Sequence, residues 1–206
     1  MPNVDLRSGT WLNRPAGVKA ERDRLVVTTE AGTDFWRHTH YGFIRDTGHF
    51  LGFDVGPSFS AEIRICAHYE TLYDQAGLML RAAPELWVKA GVEFSDGCPR
   101  LAVVVTDHRS DWSLSGAPNE LSDLRLRMTL KDEALRIQAS TDHRTWTLLR
   151  LTPFASHGRP LRVGPMCCTP ERAGLDVELS DLSIGPANTA DLHDTSGIAA
   201  NTTQID

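Results

Sequence analysis

The sequence predicts an all-β protein, two antiparallel sheets packed face to face in a jelly-roll sandwich. Three observations predict it. Apolar and polar residues alternate with period two from about residue 10 to about residue 185, helical periodicity is nearly absent, and short breaks rich in Gly, Asp and Pro separate the alternating runs at hairpin spacing. About a dozen candidate strands are too many for one open twisted sheet, so two stacked sheets are the economical solution. Strands this long favour a jelly roll over an immunoglobulin domain of about 100 residues.

Taken in order, residues 33–42 place Asp34, Trp36, His38 and His40 on one strand face and Phe35, Arg37, Thr39 and Tyr41 on the other. Both faces carry aromatic and chargeable groups. In 58–68, Phe59, Ala61, Ile63, Ile65 and Ala67 alternate with Ser60, Glu62, Arg64, Cys66 and His68, the pattern of a half-buried antiparallel strand. Residues 73–81 set Tyr73, Gln75, Gly77 and Met79 against Asp74, Ala76, Leu78 and Leu80. In 86–94, Val88, Ala90, Val92 and Phe94 turn inward while Trp87, Lys89, Gly91 and Glu93 face the other way. Gly91 leaves a gap on that face. Lys89 and Glu93 flank it, about 13 Å apart along the strand. The apolar run Val103, Val104 and Val105 then gives way to Asp107, Ser110, Asp111, Trp112 and Ser113, which reads as the rim of a site. Plain alternation returns in 123–131 and 135–139. Residues 187–206 carry few large apolar side chains and read as a polar tail, disordered or laid on a sheet edge, beyond a single domain of residues 1–186.

With 206 residues, 41% of them apolar, the chain can bury one core without metal or disulfide staples. A net charge of −6 argues against nucleic acid or an anionic membrane as partner. The first residues lack the basic and apolar regions of a signal peptide, so a cytoplasmic protein is expected. Cys66, Cys98, Cys167 and Cys168 lack zinc-ligand spacing and are expected to be reduced thiols. His38 and His40 share a face but are a weak pair for a metal. No metal or cofactor is expected, and no nucleophile elbow, HExxH or phosphate-binding loop occurs.

The motifs Trp11-Leu12-Asn13-Arg14-Pro15, Thr33-Asp34-Phe35-Trp36-Arg37, Tyr41-Gly42-Phe43, Tyr73-Asp74-Gln75-Ala76-Gly77-Leu78, Trp87-Val88-Lys89-Ala90-Gly91-Val92-Glu93 and Ser110-Asp111-Trp112-Ser113 resemble domain-of-unknown-function family 1349, the "regulation of enolase protein" domains. The resemblance spans about residues 8–186. It implies a concanavalin A-like jelly roll and no established activity.

Three functions follow as expectations. The first is a binding module for a carbohydrate or similar small polar ligand, held by Asp34, Trp36, Arg37, Tyr73, Gln75, Trp87, Lys89, Glu93, Asp111, Trp112 and Ser113, with the tryptophans as stacking plates. The second is a glycoside hydrolase-like enzyme pairing Glu93 with Asp74 or Asp111, which needs carboxyls about 5 to 9.5 Å apart. Lys89 on the same strand would instead hold Glu93 ionised, which suits a nucleophile or a binding carboxylate but not a general acid. The third is a regulatory or protein-interaction module; the oligomeric state stays open.

Overall fold

The computed structural model describes residues 1–116 and 121–195. After one 3₁₀ turn (Leu6–Ser8), the strands in chain order are β1 (Thr10–Leu12), β2 (Gly17–Ala20), β3 (Arg24–Thr28), β4 (Phe35–Arg37), β5 (Ile44–Asp46), β6 (His49–Val55), β7 (Phe59–Ala67) and β8 (Gln75–Ala83). They continue through β9 (Leu86–Ser95), β10 (Cys98–Asp107), β11 (Arg109–Ser115), β12 (Asp123–Lys131), β13 (Ala134–Ser140), β14 (Thr147–Pro153), β15 (Leu161–Cys168) and β16 (Asp176–Gly185). One sheet has the order β1-β6-β15-β8-β9-β10-β11, the second β14-β13-β12-β7-β16-β3-β2, and β4 pairs with β5 as a separate hairpin. All the paired strands are antiparallel. The expected two-sheet jelly roll is what the chain forms.

Alternation decides which side chains meet between the sheets. Leu78 and Leu80 of β8 and Val88, Ala90 and Val92 of β9 point inward against Ile63 and Ile65 of β7 and Leu124, Leu126 and Met128 of β12, in one continuous core. The turns follow their local chemistry. Asp96 and Gly97 between β9 and β10 both have positive φ (54° and 79°), as do Asp132 and Glu133 between β12 and β13 (49° and 57°), the geometry that two-residue hairpins require.

A second, smaller core sits on the outer face of the first sheet. Phe35 and Trp36 of the β4–β5 hairpin press onto Phe50, Met79, Trp87, Val104, Met166 and Cys168. Polar ties fasten the hairpin there: Arg81 donates to both Asp46 carboxylate oxygens at 2.9 and 2.8 Å, and the Arg37 backbone N–H donates to Ser110 Oγ at 3.0 Å. Residues 187–195 cross the outer face of the second sheet. The Asn188 N–H donates to Ser60 Oγ, the buried Arg136 guanidinium donates to the carbonyls of Asn188, Ala190 and Asp191, and the Trp146 N–H donates to the Thr195 carbonyl. The expected tail thus continues over a face to its β14 border as far as residue 195, and 196–206 lie outside the described residues.

Candidate functional site

Beside the hairpin, the outer face of the first sheet opens into a cavity of about 220 Å³. Its walls come from the hairpin region (Gly32, Asp34, Trp36, Tyr41, Phe43, Arg45), from the sheet and its approach (Tyr73, Lys89, Glu93, Trp112) and from the loop after β15 (Pro170, Glu171). The space is small beside the ~300–1,000 Å³ typical of drug-sized ligand sites.

Two facing glycines shape the floor. Gly77 of β8 and Gly91 of β9 are directly paired, and a Cβ on either would strike a backbone carbonyl, of Ala90 for Gly77 and of Ala76 for Gly91. Only residues without side chains let these two strands pair so closely. Lys89 rises from the floor, buried, and donates to Gln75 Oε1 at 2.7 Å and Asp34 Oδ1 at 3.2 Å. Asp34 Oδ1 also accepts from the Phe35 N–H at 2.7 Å. Burial works against the Lys89 charge, but its acidic neighbours, the hydrogen-bonded Asp34 first, outweigh it and raise its pKa, so the side chain stays protonated.

Glu93 lies in a different situation. It is 5% exposed, borders the cavity, and has no hydrogen-bond or ion-pair partner among the described residues. Burial pushes its carboxyl up to about 7; the Lys89 charge opposes this and the Asp34 charge adds to it. This corrects the expectation that Lys89 holds Glu93 ionised. The lysine is engaged by Asp34 and Gln75, and desolvation of the carboxyl outweighs what remains of its attraction.

The aromatic wall is built by a tight turn after β4. His38, His40 and Gly42 adopt positive φ (61°, 62° and 74°), and the Trp36 indole N–H donates to the Thr39 carbonyl at 2.9 Å. The predicted alternation through 33–42 therefore stops at Arg37. The turn brings Tyr41 onto Phe43 as a stacked pair at 5.3 Å and edge-on to Trp36 at 5.7 Å. Trp36 in turn meets Trp112 at 6.3 Å and 88°. The Tyr41 and Tyr73 hydroxyls are hydrogen-bonded at 2.9 Å, which joins the hairpin to the loop before β8 and pushes the Tyr73 phenol up to about 12.

Of the expected site residues, Asp34, Trp36, Tyr73, Lys89, Glu93 and Trp112 line this cavity. Gln75 joins as the acceptor of Lys89 and borders a small adjoining hollow with Gly91. Others are placed elsewhere. Trp87 is fully buried under Phe35 and cannot serve as a stacking plate. Arg37 lies outside the lining, its Nε directed at the His108 carbonyl at 3.4 Å. Asp111 and Ser113 alternate with Trp112 on β11, so they face away from the cavity and accept from Arg150 of β14 at 2.8 and 3.2 Å. Asp74, 0% exposed, points opposite to Gln75 and accepts from Arg172 and from the N–H groups of Glu70 and Thr71. The hydrolase pairings of Glu93 with Asp74 or Asp111 therefore do not form; the acids that share the cavity with Glu93 are Asp34 and Glu171.

Tyr41, Phe43, Arg45, Pro170 and Glu171 were not expected in a site. Tyr41 and Phe43 stood in a quoted motif, whereas Pro170 and Glu171 carry no sequence signal, since only the path of the chain after β15 brings them here. Among the described residues no cluster of three or more His, Cys, Asp or Glu could hold a metal, and the four cysteines are free thiols.

The model of "Protein of unknown function (DUF1349)" matches residues 11–187. "Regulation of enolase protein 1" of Saccharomyces cerevisiae is 47% identical over 194 residues, covering 94% of this chain and 98% of that protein. A solved structure of a functionally unknown protein from the same yeast is 46% identical with a TM-score of 0.87, covering 90% of this chain and 100% of that one. Two further structures share the fold alone. A GH43 protein from Bacillus licheniformis is 15% identical at TM-score 0.70 over 90% of this chain and 39% of that one. A legume lectin-like domain from Entamoeba histolytica is 12% identical at 0.58 over 89% and 92%.

Proposed function

The chain belongs to the family of proteins of unknown function DUF1349, and we propose that it acts there as a binding module for a small polar ligand of carbohydrate type, in the cavity beside the β4–β5 hairpin. One observation carries this reading: aromatic rings and an ordered polar set share one small cavity, where the Glu93 carboxyl has no hydrogen-bond or ion-pair partner among the described residues. Buried polar groups ordinarily find partners, so one left open at a cavity wall points to a partner that arrives from outside. Lys89 has a third N–H beyond those given to Asp34 and Gln75. The structural neighbours named for glycoside hydrolases and lectins support the reading at the level of fold.

A screen of monosaccharides and small polyols by titration calorimetry, on wild type beside Trp112→Ala and Glu93→Gln, tests it. The expected result is a selective ligand whose affinity falls about tenfold or more in both variants, as truncation of a central aromatic anchor costs over about 1 kcal/mol. Hits indifferent to both substitutions would place binding elsewhere. A regulatory contact is the second reading. It is favoured by the name of the yeast relative and by the exposure of Tyr41 and Phe43, which line the cavity.

A further inference from the structure

Resting on this cavity as a small-ligand site, we propose that its occupant carries an organic ammonium group, seated against Glu93 within a box of aromatic rings. The rings meet edge to face. Trp36 stands at 88° to Trp112 and at 71° to Tyr41, with centroids 6.3 and 5.7 Å apart. A flat ligand face is best served by one open plate, whereas rings set at right angles enclose a compact group and offer it several π faces.

Glu93 supplies the counter-charge. A carboxyl this buried is costly to ionise alone, and a cation in the cavity is the partner that would let it do so. The groups around it leave that role open. Lys89, on the same strand, is committed to Asp34 and Gln75. Arg100, opposite Glu93 on β10, makes no hydrogen bond or ion pair with it among the described residues; its Nε lies 3.7 Å from Asp96 without a hydrogen bond. Arg45 lies over the Phe43 ring at 5.0 Å. Cys168 is a buried thiol that burial keeps protonated, and Tyr73 is held neutral by Tyr41. With Asp34, Glu93 and Glu171 against Lys89 and Arg45, the lining carries one more acid than base. The overall charge of −6 likewise attracts a cation.

Amino sugars and alkylammonium compounds share this chemistry, and two matched pairs separate them. Titration calorimetry with the full chain compares choline with its uncharged carbon isostere dimethylbutanol, and glucosamine with N-acetylglucosamine. The charged member is expected to bind about tenfold tighter. Choline does not titrate, so its affinity should rise about tenfold between about pH 6 and pH 8 as Glu93 ionises, and Glu93→Gln should remove both the preference and the pH dependence. Trp112→Leu, with its fold checked by thermal unfolding, should weaken the cation more than the isostere. A glucosamine preference without choline binding identifies an amino sugar; choline binding identifies an alkylammonium head. Neutral and charged members binding equally, or a preference that survives Glu93→Gln, overturns the inference and leaves the cavity as a binding site. No binding by any of the four overturns both.

Discussion

Glu93 shows how one residue's setting turns into measurable behaviour. Its carboxyl titrates near 4.5 when exposed and near 7 in the folded chain. Between those values the unfolded chain gives up its proton first, so raising the pH through this window lowers stability, by an amount on the order of 3 kcal/mol at most. Glu93→Gln has no charge to bury. Its stability relative to wild type, read by urea unfolding, should climb between about pH 4.5 and pH 7 and level off above; a difference constant with pH would mean that Glu93 is not desolvated. Asp74 is the opposite case, a fully buried carboxylate with all its partners present. It holds Arg172 and the 70–71 backbone together, and so joins two loops that bear cavity residues, Tyr73 on one and Glu171 on the other. Asp74→Asn should cost about 3 kcal/mol, the low end for a broken buried pair because Arg172 is partly exposed, and should weaken any cavity ligand as well. Chemical denaturation and calorimetry would report the two effects separately.

At the scale of elements, two attachments matter most. At the Gly77–Gly91 pair β8 and β9 leave no room for a side chain, and Gly91→Ala should destabilise the chain by about 1–3 kcal/mol, the range for overpacking, because the obstacle is backbone that cannot rotate aside. A melting temperature unchanged from wild type would show that β8 and β9 can part. The segment 187–195 is the second attachment. Three of its carbonyls surround the buried Arg136 guanidinium. Removing residues from 187 onward should cost about 1–3 kcal/mol through donors left without acceptors. Arg136→Met in the shortened chain should recover part of that loss, since an apolar side chain has no donors to satisfy.

For the whole molecule, chain order and spatial order diverge in a way that dictates cooperativity. β15 lies between β6 and β8, and β16 between β7 and β3, so each sheet is completed by a strand from the last quarter of the chain. A chain stopped before Leu161 would leave four strands with unpaired edges, the template for aggregation. Such a fragment should be insoluble or unfolded by circular dichroism. A folded fragment would show that the first 160 residues form an independent unit.

Period-two alternation, with turn chemistry between the runs, was enough to specify the class and the apolar faces of β7, β9 and β12, because which face of a strand is buried is a local property. It also placed Lys89, Gly91 and Glu93 on one shared face. What it could not carry was the cover on that face. Trp87 faces outward as the alternation says, yet it is buried, because Phe35 from a hairpin more than fifty residues earlier lies on it. The turn at 38–42 broke the expected register through backbone conformations that alternation does not encode, and so brought Tyr41 to Trp36. Whether Lys89 neutralises Glu93 or Asp34 depended on which carboxylate lay within reach of its ammonium, and only the docking of the hairpin onto the sheet decided that.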